Sequence, residues 1–526
     1  MTHPIKAAIT VGDALSFLQS NIEPADPTCR FKAALERALR LIKAAPEVDA
    51  MDLSLSVDNW PHIGDLLSRL TAKYADLLEI TVSGEEDDFL LWNGVRVTES
   101  FADPTIEPDA EHLCIAILAL EGLLPEIMSA NWDGLIEKAA YQLSGSANLV
   151  SVRVLPDDVR QAGFRVHLYK FHGCAVLASQ DEATYRPFLI ARKSQIDDWD
   201  KGHSVFQQQL VNIVTSKATL MIGLSAQDSN IRSVFGRARE YLNWQWPGRF
   251  PAIVFSQPEL GADQIVLLKS VYRNVWQAAN RDQIQAESVI PTYGKQILLA
   301  LVIRILCGKL DTLMRGADGL LPAAERDLLA QGLIVLRNMV ADADTGSTDH
   351  YIFMRTLIQH VSRVMGLFRD GRAPANAQLY RPLTMSPAAH IPLDPGVPAS
   401  GLQELAVAAA TLGLGATQGL WTLHAADLTD TECGAFEIRT SIRTIPIFFA
   451  ASAESALQLS LSGRLSTGRY AVVVHSKSVV EPTHRSSRII RRTGVLPPRS
   501  VSMSDLLKSV STTAELTQRF QREVAL

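Results

Sequence analysis

The hydrophobic positions between residues 111 and 256 alternate between helical and strand spacing. Amphipathic segments of helical period predict helices at residues 111–122, 133–143, 201–215 and 228–243. Short apolar runs predict strands near residues 124–129 and at residues 148–154, 164–171, 219–225 and 251–256. Strands that alternate with helices form a parallel sheet with both faces covered. The predicted fold class is therefore α/β.

The pattern at the N-terminus is less regular. Residues 5–11, "IKAAITV", predict a short strand that ends at Gly12, and a helical run follows it. Residues 28–80 have mostly helical spacing, whereas residues 82–97, "VSGEEDDFLLWNGVRV", predict a strand, a turn and another strand. We predict that these segments and the alternating strands and helices form one domain over residues 1–284.

A second pattern covers the C-terminal half of the chain. Residues 285–372 predict helices, and residues 373–400 are rich in Pro, Ala and Gly with little periodicity, which indicates a linker. Residues 401–526 predict a smaller α/β domain with a regulatory or partner-binding role. Its predicted elements are helices at 402–413 and 453–463 and strands near 420–425, 435–441, 445–450 and 469–476.

Composition and charge are those of an ordinary globular protein. The 526 residues are too many for one compact core, and 47% of them are hydrophobic and 20% charged. The net charge of −6 argues against a protein that binds nucleic acid along its whole length. The five cysteines are widely separated, without a C-x-x-C pair, so neither a zinc ribbon nor a disulfide framework is expected. A reducing compartment, the cytoplasm, is the predicted location.

The sequence does not predict a secretion signal or a membrane anchor. The N-terminal stretch has one lysine and a short apolar run broken by Asp13, which makes a poor signal peptide. The most apolar windows, "HLCIAILALEGLLPEIM" and "QILLALVIRILC", are shorter than the roughly 18 to 20 apolar residues that span a bilayer, and both contain charges. We therefore expect no membrane partner.

Polar side chains follow four of the predicted strands. They lie in "VGDALS", "SANWDG", "YKFHGC" and "GLSAQDSN", which are residues 11–16, 129–134, 169–174 and 223–230. Ligands of parallel sheets bind at the carboxyl ends of the strands, where these segments would lie. Three of the segments also have a simpler explanation, since Asp133 and Asp228 can cap helices and His172 can lie in a turn or in the core. Capping does not explain Asn131.

The ordered set "NWDGLIEKA", "YKFHGC" and "LMIGLSAQDSNIR" resembles the sirtuin family, and within it the sirtuin-like NAD-consuming modules of bacterial anti-phage defence proteins. Those modules have a T-N-Y-D type motif that opens a helix, a strand that ends in H-G, and a strand that ends in G-x-S with an aspartate beyond it. The resemblance covers roughly residues 1–300 and implies a sirtuin-like, Rossmann-type parallel sheet that binds NAD.

The resemblance implies roles for particular residues. In the catalytic set, His172 is the general base, Asn131 positions the water and the nicotinamide ribose, and Asp133 meets the nicotinamide carboxamide. The implied cofactor-binding residues, on the pyrophosphate and adenosine side, are Gly12, Ser16, Gly223, Ser225 and Asp228.

Cleavage of NAD requires residues of these chemical types. Nicotinamide is a cationic leaving group, so the reaction needs orientation, exclusion of other nucleophiles and a base for the attacking water or ribose hydroxyl. Histidine can act as a base near neutral pH without tuning. Asparagine donates and accepts hydrogen bonds without a charge, so it can hold a water without competing as a nucleophile. The predicted activity is hydrolysis of NAD⁺ to ADP-ribose and nicotinamide.

Two departures from the family pattern bear on this prediction. Protein-deacylating sirtuins carry a four-cysteine zinc ribbon beside the H-G strand, and the stretch after Cys174 has no second cysteine, so neither zinc nor deacetylation is expected. The family's first strand ends in a Gly-Ala-Gly-x-Ser loop, but in this chain Ala14 replaces the second glycine and Asp13 lies beside the phosphates. Either Asp13 turns away, or the nucleotide lies differently, or the module is a degenerate nucleotide-binding or scaffold subunit.

The C-terminal half is the predicted place of regulation, because an enzyme that destroys cellular NAD must be silent by default. By analogy with defence systems, we expect an effector activated by oligomerisation or by a sensor protein encoded nearby. An arginine-rich stretch, residues 485–499, is a solvated face, a contact for an acidic partner or a nucleic-acid site. The last alternative would make the chain the partner of a nucleic-acid-guided short Argonaute. Its arginines are Arg485, Arg488, Arg491, Arg492 and Arg499.

Overall fold

The computed structural model describes residues 3–160, 163–242, 244, 246, 251–317, 321–342, 349–430, 433–441, 443–462, 465, 470–476 and 499–524. The chain divides into two compact units. The first comprises Met1–Asp109, Glu126–Lys138 and Val150–Ile297, and the second comprises Ala110–Pro125, Ala139–Leu149 and Leu298–Leu526. Each unit contains segments that are distant in the sequence. The domain bounds predicted at residues 284, 372 and 400 stay a prediction.

The helices are numbered in chain order. The α-helices up to residue 287 are α1 His3–Ser20, α2 Arg30–Arg40, α3 Ala45–Asp49, α4 Ile63–Thr71, α5 Tyr74–Leu78, α6 Val97–Phe101, α7 Ala110–Leu120, α8 Leu135–Ser144, α9 Ala175–Gln180, α10 Glu182–Tyr185, α11 Lys193–Asp197, α12 Trp199–Gly202, α13 Ser204–Ser216, α14 Ser229–Tyr241, α15 Ala262–Tyr272 and α16 Arg281–Glu287. Those that follow are α17 Gly294–Arg315, α18 Ala323–Asp342, α19 His350–Asp370, α20 Leu402–Thr417, α21 Ala453–Leu461, α22 Met503–Leu507 and α23 Thr513–Glu523. Short 3₁₀-helices lie at Val57–Asn59, Pro156–Arg160, Arg186–Phe188, Arg273–Val275 and Ala388–Leu393.

The strands of the described residues form three sheets. Two of the sheets have three parallel strands each, in the orders β1-β3-β2 and β4-β5-β6, and the third has the order β11-β10-β9-β8-β7. The strands are β1 Glu126–Ser129, β2 Val150–Arg153, β3 Val166–Lys170, β4 Thr219–Ile222, β5 Ile253–Ser256, β6 Val289–Ile290, β7 Thr422–Ala425, β8 Phe436–Arg439, β9 Thr444–Ala450, β10 Val472–His475 and β11 Arg499–Ser502.

The α/β prediction for the first unit is confirmed, because each strand predicted between residues 124 and 256 is a parallel strand with helices around it. The apolar runs predicted these strands correctly, because both β3 and β5 are buried along most of their length. The predicted single sheet differs from the structure, in which β1 to β3 and β4 to β6 are hydrogen-bonded as separate sheets.

Two N-terminal predictions are wrong. The strand predicted at residues 5–11 and the loop at Gly12 lie inside helix α1, whose buried positions Val11, Leu15 and Leu18 recur with helical spacing. The two strands predicted at residues 82–97 are replaced by a π-helical turn at Leu90–Gly94 and by the start of α6. Consecutive residues of that segment, Leu90 and Leu91, are both buried, which a half-exposed strand does not allow.

The second unit has the helices predicted over residues 285–372 and the α/β pattern predicted after residue 401. Strands β9, β10 and β11 are parallel to one another, and β7 and β8 form an antiparallel extension at one edge. Within the predicted linker, residues 388–393 form a 3₁₀-helix. Of the arginine-rich stretch, Arg499 begins β11, and residues 485–498 lie outside the described residues.

Across the described part of the chain, none of the helices is both long enough and apolar enough to cross a bilayer.

A buried ion pair joins three segments of the second unit. Lys309 of α17 donates to the Glu121 carboxylate at 2.6 Å, to the Glu121 carbonyl at 2.6 Å and to the Thr384 carbonyl at 2.9 Å. The other carboxylate oxygen of Glu121 accepts from the Tyr380 hydroxyl at 2.7 Å and from the Leu383 N–H at 3.0 Å. Burial and the neighbouring carboxylate raise the pKa of Tyr380 well above its usual value. Every oxygen of this carboxylate therefore has a partner, as a buried charge requires.

We expect Lys309→Met to destabilise the second unit by about 3–5 kcal/mol, because it leaves the Glu121 carboxylate buried without its cation. Chemical denaturation measures the loss. Lys508→Met is the matched control, since the Lys508–Asp505 pair is 73% and 50% exposed at its two side chains. Exposed pairs of this kind contribute at most about 1 kcal/mol. Equal losses for the two variants would contradict the stabilising role of the buried pair.

Candidate active site

Two of the strand-end segments lie side by side because β1 and β3 are paired in parallel. The pairing sets Ser129 opposite Lys170 at the carboxyl ends of the two strands. Asn131 and His172 each follow two residues later, so they leave the sheet at the same level on neighbouring strands. The register of one strand pair thus sets the predicted amide beside the predicted base.

Asn131 and His172 line the same pocket. The cavity volume is about 40 Å³, which is room for a few water molecules. Asn131 is half-buried, and His172 is 3% exposed. The lining consists of Ala7, Thr10, Tyr74, Phe101, Ala130, Asn131, Trp132 and His172.

The turn after β1 is shaped by side chains that bond to the backbone. Ser129 Oγ accepts a hydrogen bond from the N–H of Asn131 at 3.1 Å, and Asp133 Oδ1 accepts one from the N–H of Leu135 at 3.1 Å. Asp133 is buried at the start of α8, where its carboxylate satisfies a free N–H group of the helix. Asp133 therefore acts as a helix cap, and it lies outside the lining of the pocket. Its contact with a carboxamide stays a prediction.

Gly173 permits the turn that follows β3. Its N–H donates to the carbonyl of Lys170 at 2.9 Å, and its φ of +90° lies in the region that favours glycine. A Cβ atom at this position would lie 2.5 Å from the carbonyl oxygen of Phe188. The carbonyl of His172 accepts from the N–H of Ile190 at 3.0 Å, which anchors the same turn. The glycine of the H-G motif thus fixes the backbone that carries His172.

Asn230, at the start of α14, holds the imidazole of His172. Its side-chain oxygen accepts from the N–H of Ile231 at 2.9 Å, so its amide nitrogen is the atom that faces His172. That nitrogen lies 2.9 Å from Nε2 of His172 and donates to it. Nε2 therefore carries the lone pair, and the proton of the neutral ring is on Nδ1. Asn230 lies in the strand-end segment "GLSAQDSN", but its side chain was not among the predicted site residues.

Tyr74 of α5 connects the pocket to Asp228. Its hydroxyl donates to Asp228 Oδ1 at 3.0 Å, and both side chains are buried. Burial and the Asp228 carboxylate raise the pKa of Tyr74 well above its usual value, so the hydroxyl keeps its proton and remains the donor. Tyr74 lines the pocket, whereas Asp228 lies behind it. Tyr74 is not predicted by the sequence, because it lies in a helix far from the strand-end motifs.

The loop between β4 and α14 carries the other two predicted residues of this motif. Gly223 has a φ of +65°, and the buried Ala226 has a φ of +60°, a conformation that costs an L-residue about 1–2 kcal/mol. Ser225 is exposed, and its Oγ accepts from the N–H of Gln227 at 3.4 Å. Neither Gly223 nor Ser225 lines the pocket, and their contact with a nucleotide stays a prediction. The strained Ala226 is typical of loops that serve a site.

Helix α1 presents different residues from those predicted. Gly12 and Ser16 lie inside the helix, and Ser16 is exposed, so the glycine loop that would cradle a pyrophosphate does not form there. Ala7 and Thr10 of the same helix line the pocket instead. Burial raises the pKa of the Asp13 carboxyl, and attraction to Arg96 opposes this effect. The assignment of Gly12 and Ser16 to nucleotide binding assumed a glycine loop at this position, and the structure has a helix there instead.

Trp132 lines the pocket, and its indole N–H is a donor without a partner among the described residues. Its side chain is 8% exposed and packs edge-on against Phe101, with ring centres 5.2 Å apart. The nitrogen itself is buried and is not exposed to the pocket. The residue stands between the two predicted ones in "NWDG".

Residues 125–272 match the family model of the SIR2-like domain. This part of the chain is similar to SIR2-like domains, which is consistent with a sirtuin-like family. Such domains bind NAD, and their fold is associated with NAD-dependent enzymes, so the domain indicates a nucleotide-related function. A search of curated proteins gave no match to the chain.

The match includes most of the candidate site. The SIR2-like domain contains Asn131, His172 and Asn230, whereas Thr10 and Tyr74 come from helices that precede it. Among the residues that the structure describes, no group of three or more His, Cys, Asp or Glu side chains is placed to hold a metal ion. The five cysteines are free thiols.

We expect Gly173→Ala to destabilise the first unit and to displace His172. Gly163 is a matched control, because its φ of +92° is almost the same and a Cβ there meets no atom within 4 Å. Gly163→Ala should cost about 1–2 kcal/mol from backbone strain. Gly173→Ala should cost about 1–3 kcal/mol more, because the Phe188 carbonyl must move. Urea denaturation compares them, and equal losses would mean that the clash is relieved without cost.

Proposed function

We propose that the SIR2-like domain hydrolyses NAD⁺ to ADP-ribose and nicotinamide, with His172 as the general base and Asn131 as the residue that holds the water and the ribose. The observation that carries this proposal is the shared pocket, which is lined by both side chains. Deacetylation is not proposed, because the sequence after Cys174 lacks the further cysteines of a zinc ribbon.

The protonation state of His172 suits a base. Because Asn230 donates to Nε2, that nitrogen carries a lone pair and is the atom that would take a proton from the attacking water. The water would have to replace the Asn230 amide as the donor to Nε2. Asn131 offers both a donor and an acceptor beside it without adding a charge to the pocket.

The size of the pocket supports an enzyme that rests in an inactive state. A volume of about 40 Å³ is far below the roughly 300 Å³ of a small ligand site, and we propose that a movement of the lining residues widens it before a nicotinamide riboside enters. We propose that the protein is the effector of a bacterial anti-phage system and that its C-terminal half, further copies of the chain or a sensor protein triggers this movement.

A second candidate function is nucleotide binding without turnover. The observation in its favour is helix α1, which occupies the sequence position of the expected first strand and glycine loop. Without that loop, the pyrophosphate loses the backbone N–H groups that would cradle it. Under this alternative, NAD⁺ raises the melting temperature of the protein but is never cleaved.

We expect His172→Ala and Asn131→Ala each to lower the rate of nicotinamide release by about 10²–10⁴-fold, the usual contribution of a positioned base. The measurement follows nicotinamide by chromatography, with the protein expressed beside its genomic neighbours and challenged with phage. His390→Ala and Asn148→Ala are the matched controls, since both residues are exposed and lie outside the pocket.

The controls separate the two candidate functions. Turnover that is lost in His172→Ala and Asn131→Ala and kept in the controls supports hydrolysis. Turnover that survives in His172→Ala would exclude the histidine as the base. Absence of turnover in the wild type under every activating condition, together with thermal stabilisation by NAD⁺, would establish the binding function instead.

A further inference from the structure

A buried lysine lies directly beneath the candidate site and has no role in the proposed chemistry. Lys170 is the last residue of β3, two positions before His172, and its side chain is 1% exposed. Burial of an ammonium group costs several kcal/mol of free energy, because the ion loses its hydration. The contacts of the Lys170 ammonium have to offset this cost, and they indicate the role of the residue.

The Lys170 ammonium has three partners, one at each turn of the site and one in helix α8. It donates to the main-chain carbonyl of Asp133, which lies in the turn that carries Asn131. It lies 3.5 Å from Sγ of Cys174, which follows the turn that carries His172. Its counter-ion is Glu137, at 2.6 Å, in the first turn of α8.

The lysine is charged in this position. Burial lowers the pKa of the Lys170 ammonium, but attraction to Glu137 and Cys174 outweighs this effect and holds the pKa above its usual value. All three ammonium protons therefore remain available as donors. The second carboxylate oxygen of Glu137 is buried and has no partner within the described residues, so Lys170 provides the contact that neutralises this carboxylate.

A main-chain hydrogen bond joins the same two turns. The N–H of Ala175 donates to the carbonyl of Trp132 at 2.8 Å, beside the bond from Lys170 to the next carbonyl along the chain. The two turns are thus connected at adjacent carbonyls, once by the backbone and once by the ammonium group. Two connections restrict the rotation of one turn against the other. A single bond would leave that rotation free.

We propose that Lys170 is a positioning residue that sets the separation and orientation of the Asn131 amide and the His172 imidazole. The bond to the Asp133 carbonyl is charge-assisted and about twice as strong as a neutral one, and the contact with Cys174 Sγ reaches the second turn. The role in catalysis rests on the proposed hydrolysis of NAD⁺. The geometric role belongs to the chain itself and holds with or without turnover.

The test separates positioning from charge balance. Lys170→Met removes the connection and also leaves the Glu137 carboxylate unpaired, so it should lose both stability and activity. The double variant Lys170→Met/Glu137→Gln removes the charge of both partners. We expect it to regain most of the wild-type melting temperature but to retain a kcat about 10²-fold below wild type, because a displacement of about 1 Å costs that much. The KM for NAD⁺ should change less than kcat.

Lys138 provides a matched control in the next helix position. Its ammonium also bonds to two main-chain carbonyls, of Pro104 and Ile106, and to a carboxylate, Glu107, but it does not join the two turns of the site. Lys138→Met should lower the melting temperature and leave kcat within a few-fold of wild type. A double variant at Lys170 and Glu137 with wild-type kcat would overturn the proposal, since charge balance alone would then explain the lysine.

A second readout does not depend on turnover. Crystal structures of the wild type and of Lys170→Met/Glu137→Gln would give the distance from Cγ of Asn131 to Nε2 of His172. We expect this distance to differ by about 1 Å, the scale of misplacement that affects a reaction. An unchanged distance would overturn the positioning role even if the protein hydrolyses NAD⁺. A changed distance in a protein that never cleaves NAD⁺ would support the positioning role and reject the proposed function.

Discussion

The parallel pairing of β1 with β3 is the constraint on which the candidate site depends. Because Ser129 pairs with Lys170, the two turns that follow begin at the same level, and Asn131 and His172 end up beside one pocket. A shift of the register by one residue would turn the side chain of Lys170 to the opposite face of the sheet. The buried lysine and the two turns therefore depend on the same set of backbone hydrogen bonds, so the fold and the site cannot change independently.

The sequence predicts the part of the site that is local. The motifs around Asn131 and His172 could be found because each follows an apolar run whose strand spacing is clear. Tyr74 could not be found, since nothing in a helix some hundred residues away from His172 shows that it will pack against the pocket. Helix α1 could have been predicted, because the buried residues Val11 and Leu18 continue a helical period through Gly12. A glycine in a helix costs only about 1 kcal/mol, so it does not have to end the element.

Each unit contains a fully buried lysine, and comparison of the two clarifies what Lys170 does. Lys309 has a carboxylate whose oxygens are all hydrogen-bonded, and its other partners are main-chain carbonyls of segments with no candidate catalytic residue. That arrangement satisfies the electrostatic requirement of a buried pair completely. Lys170 has a carboxylate with one oxygen that lacks a partner among the described residues, together with a thiol at 3.5 Å. Lys170 also contacts the main-chain carbonyl of Asp133, so its partners lie at the two turns of the candidate site, which favours a geometric role.

Hydrogen bonds engage the polar side chains at and around the pocket. The lone pair of His172 is engaged by Asn230, and the carboxylate of Asp228 is engaged by Tyr74, which also lines the pocket. Each of these bonds is a neutral or singly charged contact of about 1–3 kcal/mol, which is within the range that binding of a substrate or partner can supply. The same contacts that stabilise the fold therefore engage the polar side chains of the candidate site. The engagement of these polar groups arises from side chains inside the first unit.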